Sequence, residues 1–160
     1  MTLAHSYLDV ASLAPGAGMA FWRPDLATGI PAIDEQHRDL LAWIAELEAA
    51  AHAGDVDHAE DMLGYLERYA AEHFATEERV MWELGYPELN EHWSLHLAFA
   101  MELAQRKEEH ETNPSRAALL VDLGRWMDRW LNEHVLQADA QMARFVRARA
   151  GAPGARPAAH

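Results

Sequence analysis

The chain has 160 residues and no cysteine, which excludes disulfide frameworks and thiolate-bound zinc or iron–sulfur sites. Half of the residues are hydrophobic, enough for the core of one domain, yet no apolar run approaches the roughly 20 residues of a membrane span. The net charge of −13 argues against nucleic acid and anionic membranes as partners, and the absence of a signal-peptide pattern predicts a cytoplasmic protein.

Residues 1–33 are predicted to form an N-terminal arm, because its prolines and glycines prevent a long helix. Phe21, Trp22 and Ile30 are too apolar to remain in solvent, so part of this arm should pack on the domain. At the other end, residues 151–160 are rich in proline, glycine and alanine, which predicts a disordered tail.

Residues 34–150 show the apolar periodicity of four amphipathic helices and no strand pattern. The first helix should begin near Asp34, a good N-cap residue, and end before Gly54. The second should open with a capping box formed by Asp57 and Glu60, and continue to about Leu84.

The third helix is expected to begin at or just after Pro87 and to end near Glu109. The fourth should start at Asn113 and Pro114 and end at Gly151. Short connections between such helices favour antiparallel neighbours. The sequence therefore predicts an all-α fold, an up-down-up-down antiparallel four-helix bundle.

Two pairs of polar residues lie four positions apart on the second and third helices: His73 with Glu77, and His92 with His96. This spacing places both members of a pair on one helix face. Measured from the predicted turns, three further residues fall at the same level of the bundle. The complete candidate set is His37, His73, Glu77, His92, His96, His134 and Asp139. The other histidines, which are His5, His52, His58, His110 and His160, are predicted to lie on the surface.

Five histidines and two carboxylates cannot stay unpaired in an apolar layer, because desolvation costs several kcal/mol for each group. Metal ions would give every group a partner, and imidazole with carboxylate suits iron, zinc, copper or nickel. Seven side chains exceed what one ion takes. The pattern therefore predicts two ions bridged by the two carboxylates.

His134 and Asp139 lie five residues apart, about 140° around a regular α-helix. Both side chains cannot point ideally into the bundle from such a helix. A local π-type widening, or a lengthened hydrogen bond between the two residues, is therefore expected.

The sequence around these residues resembles the hemerythrin family, in its bacterial form bacteriohemerythrin. The motifs are GIPAIDEQH ending in His37, HFATE from His73, HWSLH from His92 and HVLQAD from His134, and the resemblance extends over about residues 21–145. It implies a non-haem centre of two iron ions, Fe2+/Fe3+, that binds O2 reversibly.

By this resemblance, His92, His96 and His134 would hold one iron, and His37 with His73 the other. Glu77 and Asp139 would bridge the pair together with an oxo or hydroxo group. The O2 pocket would be walled by Leu40, Phe74, Trp130, Leu131 and Val135. Two residues depart from the family pattern: Met142 stands where Tyr is frequent, and Val135 where Ile is common.

Three hypotheses about function remain open. The chain could carry, store or deliver O2, it could sense O2 or redox state, or it could be a di-iron enzyme that consumes peroxide or nitric oxide. Ferritin-like oxidases use Glu-x-x-His motifs, and no histidine here has glutamate three residues before it. We therefore predict an O2-binding protein and no enzyme. The sequence does not identify a protein partner.

Overall fold

The computed structural model describes residues 21–112 and 115–150. Four helices, α1 to α4, account for most of this part of the chain, and the last of them continues through a π-helical turn into α5. Their bounds are Pro31–Ala53 for α1, Val56–Leu84 for α2, Leu89–Thr112 for α3, Arg116–His134 for α4, Val135–Asp139 for the π turn and Ala140–Ala150 for α5.

The predicted all-α four-helix bundle is confirmed, and the described residues form no strand. Helix α1 packs between α2 and α4, while α3 contacts both α2 and α4 on the opposite side. Neighbours run antiparallel. On α1 and α2, for example, Gln36 bonds to Thr76 near one end, and Glu46 bonds to His58 near the other. None of the described helices combines the length and apolarity needed to cross a bilayer.

Helix α1 begins at Pro31, three residues before the predicted start, with Ile30 in the N-cap position. Proline suits this first turn because its missing N–H is not needed there. The expected N-cap role of Asp34 is wrong. Its buried carboxylate accepts hydrogen bonds from Thr28 N and Oγ1, both at 2.7 Å, and from Gly29 N at 3.1 Å. Asp34 thus fixes the loop that leads into the helix.

Helix α2 is capped by Asp55, whose side chain accepts from His58 N at 3.3 Å. The predicted capping box that starts at Asp57 is therefore wrong by two residues. The helix ends at Leu84 as expected, where Gly85 takes a left-handed conformation with φ of 65°. For the fourth helix, the predicted start and stop residues, Asn113, Pro114 and Gly151, lie outside the described residues.

The described residues that precede α1 contact the bundle. Leu26 is buried in a short 3₁₀ turn, and the Arg38 guanidinium lies 4.2 Å from the centre of the Trp22 ring. Arg147 of α5 donates a hydrogen bond to the Thr28 carbonyl. Phe21 is the exception, with 63% of its surface exposed. Residues 1–20 and 151–160, which include His5, His160 and the predicted tail, lie outside the described residues.

His52 and His58 are exposed as expected, but the surface prediction for His110 is wrong. Helix α3 reaches Thr112, three residues further than predicted, so His110 still lies on its inner face with Phe99 and Leu103. The His110 Nε2 is 2.8 Å from the Glu60 carboxylate, which satisfies this end of the buried ring.

Glu48 is a buried carboxyl far from the predicted metal layer. Only 3% of it is exposed, and its Oε1 has no hydrogen-bond partner among the described residues. It packs against Gly124 of α4, where an added Cβ would lie 2.6 Å from the Glu48 Cγ. Burial, together with the nearby Asp128, raises the pKa of Glu48 to about 7.

This pKa predicts how Glu48 changes stability with pH. The folded-state pKa lies above the unfolded value of about 4.3, so its contribution to stability is complete below that value and is lost as pH rises through 7. Glu48→Gln should therefore raise the free energy of unfolding by on the order of 1–3 kcal/mol at about pH 8 and by much less at about pH 5. Urea denaturation at both pH values measures this difference.

The matched control for this experiment is Glu46→Gln, an exposed carboxylate on the same helix. It should change stability by less than about 0.5 kcal/mol at either pH. A pH-independent difference between wild type and Glu48→Gln would show that the pKa of Glu48 is the same in the folded and the unfolded protein.

Candidate metal centre

The seven candidate side chains meet in one buried layer of the bundle. His37 comes from α1, His73 and Glu77 from α2, His92 and His96 from α3, His134 from α4 and Asp139 from the π turn. They form two groups whose possible ligand atoms lie within 4.8 Å of one another. One group is Glu77, His92, His96 and His134, and the other is His37, His73, Glu77 and Asp139.

The two oxygens of Glu77 face different histidines: one faces His37 and His73, and the other faces His92 and His96. Its Oε1 lies 3.5 Å from His73 Nε2 and 3.8 Å from His37 Nε2. Its Oε2 lies 3.2 Å from His96 Nε2 and 3.3 Å from His92 Nε2. One carboxylate therefore faces both sets.

Asp139 repeats this division from the opposite side of the bundle. Its Oδ2 lies 3.2 Å from His37 Nε2, while its Oδ1 lies 3.0 Å from His134 Nε2 and 3.3 Å from His92 Nε2. Neither oxygen has a well-aligned hydrogen bond to any described residue. Two carboxylates are thus shared between two imidazole sets, the arrangement that two bridged cations require.

The π turn is what brings Asp139 into this layer. The Ala140 N–H donates to the Val135 carbonyl, five residues back along the chain. The extra residue in the turn rotates Asp139 inward while His134 keeps its own inward position. The π-type widening expected between His134 and Asp139 is confirmed.

Two polar residues fix the orientation of two imidazoles. His73 Nδ1 lies 3.1 Å from Gln36 Oε1, and His96 Nδ1 lies 2.9 Å from Glu78 Oε1. Both oxygens can only accept, so each Nδ1 carries the proton and each Nε2 presents its lone pair to the centre. Gln36 and Glu78 were not among the predicted site residues. The sequence clue was their position beside His37 and Glu77, one residue away in each case.

The electrostatics of the centre suit positive ions. Burial opposes ionisation of Glu77 and Asp139, but the surrounding histidines hold the pKa of both carboxyls below its usual range. Burial lowers the pKa of His73 to about 4, which keeps this ring neutral. Against the effect of burial, the two carboxylates raise the pKa of His92 to about 9. Carboxylate oxygens and imidazole nitrogens converge here, and three of the carboxylate oxygens have no hydrogen bond to a described residue. This combination of ligand atoms is typical of a metal centre.

An apolar cavity lies beside the candidate centre. Phe74, on its wall, stacks on His96 with ring centroids 3.9 Å apart, and Trp130 stacks on His134 at 4.4 Å. Of the five predicted pocket residues, Leu40, Phe74, Trp130 and Leu131 line this cavity, whereas Val135 is buried in the core outside its lining. The remaining lining residues are Ile44, Ala70, Phe99 and Met127.

Three of these additional residues lie four positions from a predicted one: Ile44 from Leu40, Ala70 from Phe74 and Met127 from Leu131. Extending the helical period would have found them. Met142 belongs to a separate apolar cluster, in which it packs with Ile33, Met81 and Tyr86. It is fully buried and closes the end of the bundle beyond Asp139.

Comparison with known proteins identifies the same region of the chain. A family model described as the Hemerythrin HHE cation binding domain matches residues 28–146. The bacteriohemerythrin of Stenotrophomonas maltophilia is 28% identical over 127 residues, which cover 79% of this chain and 81% of that protein. The bacteriohemerythrin of Pseudomonas aeruginosa is 29% identical over 126 residues, covering 79% and 80%.

The fold also matches solved structures. A hemerythrin mutant in which tyrosine replaces a leucine superimposes with a TM-score of 0.71 at 20% sequence identity. The match covers 81% of this chain and 98% of that one.

The contact between Glu78 and His96 predicts a graded effect on metal affinity. Glu78→Leu removes the acceptor that holds the His96 proton on Nδ1, so affinity should fall by roughly 10–100-fold. Glu78→Gln keeps an acceptor oxygen and should lose less. Competition between the protein and a chelator for Co2+ measures the effect, with the exposed Glu83→Leu as control. Equal affinity in the leucine and glutamine variants would show that this hydrogen bond does not orient His96.

Proposed function

Because the chain belongs to the hemerythrin family, we propose that it binds O2 reversibly at a non-haem di-iron centre, for carriage, storage or delivery. The main observation behind the proposal is that each of the two carboxylates directs one oxygen towards each set of imidazoles. In this assignment His92, His96 and His134 would hold one iron, His37 and His73 would hold the other, and Glu77 and Asp139 would be shared between them.

The unequal number of histidines supports O2 binding. One group contains three imidazoles and the other contains two. If both carboxylates are shared, the second ion would therefore have one protein ligand fewer. A bound iron pair would supply the electrons that O2 binding requires. The chain would present imidazoles to the two irons that are oriented by the contacts of His73 with Gln36 and of His96 with Glu78.

The adjoining cavity favours a small neutral ligand over a polar substrate. All of its lining residues are aliphatic, aromatic or methionine, so no charged group is available to bind an anion or a cation. Such a wall would also exclude water and protons, and so would slow oxidation of a bound metal. This environment fits a binding role, and the same centre could report O2 to another protein.

The direct test of O2 binding uses the reduced, iron-loaded protein without oxygen. Admission of air should produce a coloured oxygenated form, and evacuation should restore the colourless spectrum over repeated cycles. A mutated protein with Glu77→Ala, which removes one carboxylate from both irons, should show neither change. Immediate conversion of the wild type to the diferric form, with no reversible step, would contradict the proposal and favour oxidase chemistry.

Leu131 is the cavity residue that should control access of O2. Leu131→Phe adds bulk to a narrow apolar space, so it should retain iron but slow oxygenation roughly tenfold or more. Leu131→Ala should admit water and shorten the life of the oxygenated form. Stopped-flow mixing with O2, followed by slow recording of decay, measures both effects.

Leu119→Phe provides the control on the same helix, at a half-buried position away from the cavity lining. It should oxygenate at the wild-type rate. Wild-type kinetics in both Leu131 variants would place the route of O2 elsewhere.

A further inference from the structure

The surface formed by α2 and α3 carries an unusual concentration of exposed apolar side chains. Trp82 is 75% exposed, Trp93 49%, Leu97 43% and Met101 67%. The last three lie four residues apart and therefore share one face of α3. We call these four residues the tryptophan patch. The largest apolar patch on a monomeric protein is often a functional surface.

Two residues of the tryptophan patch, Trp82 and Trp93, line a groove in the protein surface. The groove is lined by Glu78, Arg79, Trp82, Leu89, Asn90 and Trp93. Glu78 is the residue whose carboxylate accepts the hydrogen bond from His96 Nδ1 at 2.9 Å. A molecule seated in this groove is thus separated from one imidazole of the centre by a single hydrogen-bonded carboxylate.

The charges around the patch favour a basic partner. Segment 78–102 carries the exposed carboxylates Glu83, Glu88 and Glu91, against Arg79 of the same segment and Arg149 of α5, which donates to the Leu84 carbonyl. A second copy of the chain would bring the same acidic rim against this one, and like charges in an interface are unfavourable. A positively charged protein would instead be attracted, in keeping with the net charge of −13. Of the other two carboxylates in this segment, Glu102 is paired with Arg106 and Glu78 with His96.

The size of the patch indicates a transient complex. A fully buried aromatic side chain contributes about 150–250 Å², so four residues at these exposures offer only a few hundred Å². Stable complexes bury about 800 Å² on each partner, whereas weak electron-transfer complexes bury less than about 1,200 Å² in total. The area therefore suits a short-lived encounter.

We propose that the tryptophan patch and its groove dock a small basic electron-transfer protein, which exchanges electrons with the centre by way of Glu78 and His96. The inference rests on the proposed di-iron function. Each encounter moves one electron: one ferrous ion becomes ferric while the one-electron centre of an oxidised partner is reduced, or the reverse. No atom is transferred. This exchange gives a diferric protein a route back to its O2-binding, diferrous state.

The test measures electron transfer to a basic haem protein. The diferrous protein is mixed anaerobically with ferric cytochrome c, and the reduction of the haem is followed by stopped-flow spectroscopy at low and high salt. The Trp82→Ser/Trp93→Ser double variant should react roughly tenfold more slowly than wild type, about 1.4 kcal/mol of lost complex stability. Phe21→Ser, which also removes an exposed aromatic ring, should react at the wild-type rate.

A second variant tests charge without removing apolar area. Glu88→Gln/Glu91→Gln should slow the reaction at low salt and reduce its dependence on ionic strength. Ferricyanide serves as the small oxidant in parallel, because it needs no docking surface. Its reaction with the diferrous centre should slow in none of these variants, which shows that the centre is intact.

Three results would overturn the inference. If all variants reduce cytochrome c at the wild-type rate while ferricyanide oxidation is normal, the docking surface is wrong and the di-iron proposal stands. If sedimentation shows a wild-type dimer that the double tryptophan variant dissociates, a second copy occupies the patch. If the wild type holds no iron pair and does not react with ferricyanide, the proposed function fails and this inference fails with it.

Discussion

Two ionised carboxylates, Glu77 and Asp139, face five imidazole rings inside the bundle, and much of the structure follows from the need to satisfy them. Each of the four helices contributes at least one residue to this layer. Unpaired charges at such a depth would cost more than the marginal stability of a domain this size. Cations that bind here therefore stabilise the fold as well as creating the site, which couples metal occupancy to folding.

The two halves of the centre differ beyond the number of histidines. The imidazole set from α3 and α4 is supported by the carboxylate of Glu78, whereas the set from α1 and α2 is supported by the neutral amide of Gln36. A carboxylate partner makes an imidazole a stronger donor to a metal. The same Glu78 lines the surface groove, so the more electron-rich half of the centre lies nearest the proposed docking surface.

Much of the fold and the site could be predicted because both depend on periodic spacing. The i, i+4 pairs His73–Glu77 and His92–His96 and the distances to the turns located the centre, and the five-residue interval from His134 to Asp139 predicted the π turn. Other features depend on tertiary partners. Asp34 and Asp57 were misassigned as caps because local sequence does not show which backbone amide approaches a carboxylate. The burial of His110 depends on Glu60 of α2, and the groove at Glu78 is formed by α2 and α3 together.

The central claim is that one chain holds two bridged metal ions, and X-ray absorption at the iron edge combined with metal analysis tests it most directly. The account predicts two irons per chain, mixed nitrogen and oxygen ligands, and an iron–iron scattering shell that Glu77→Ala abolishes or weakens. One iron per chain without a metal–metal shell, or a preference for a single zinc ion after loading with iron, would contradict it.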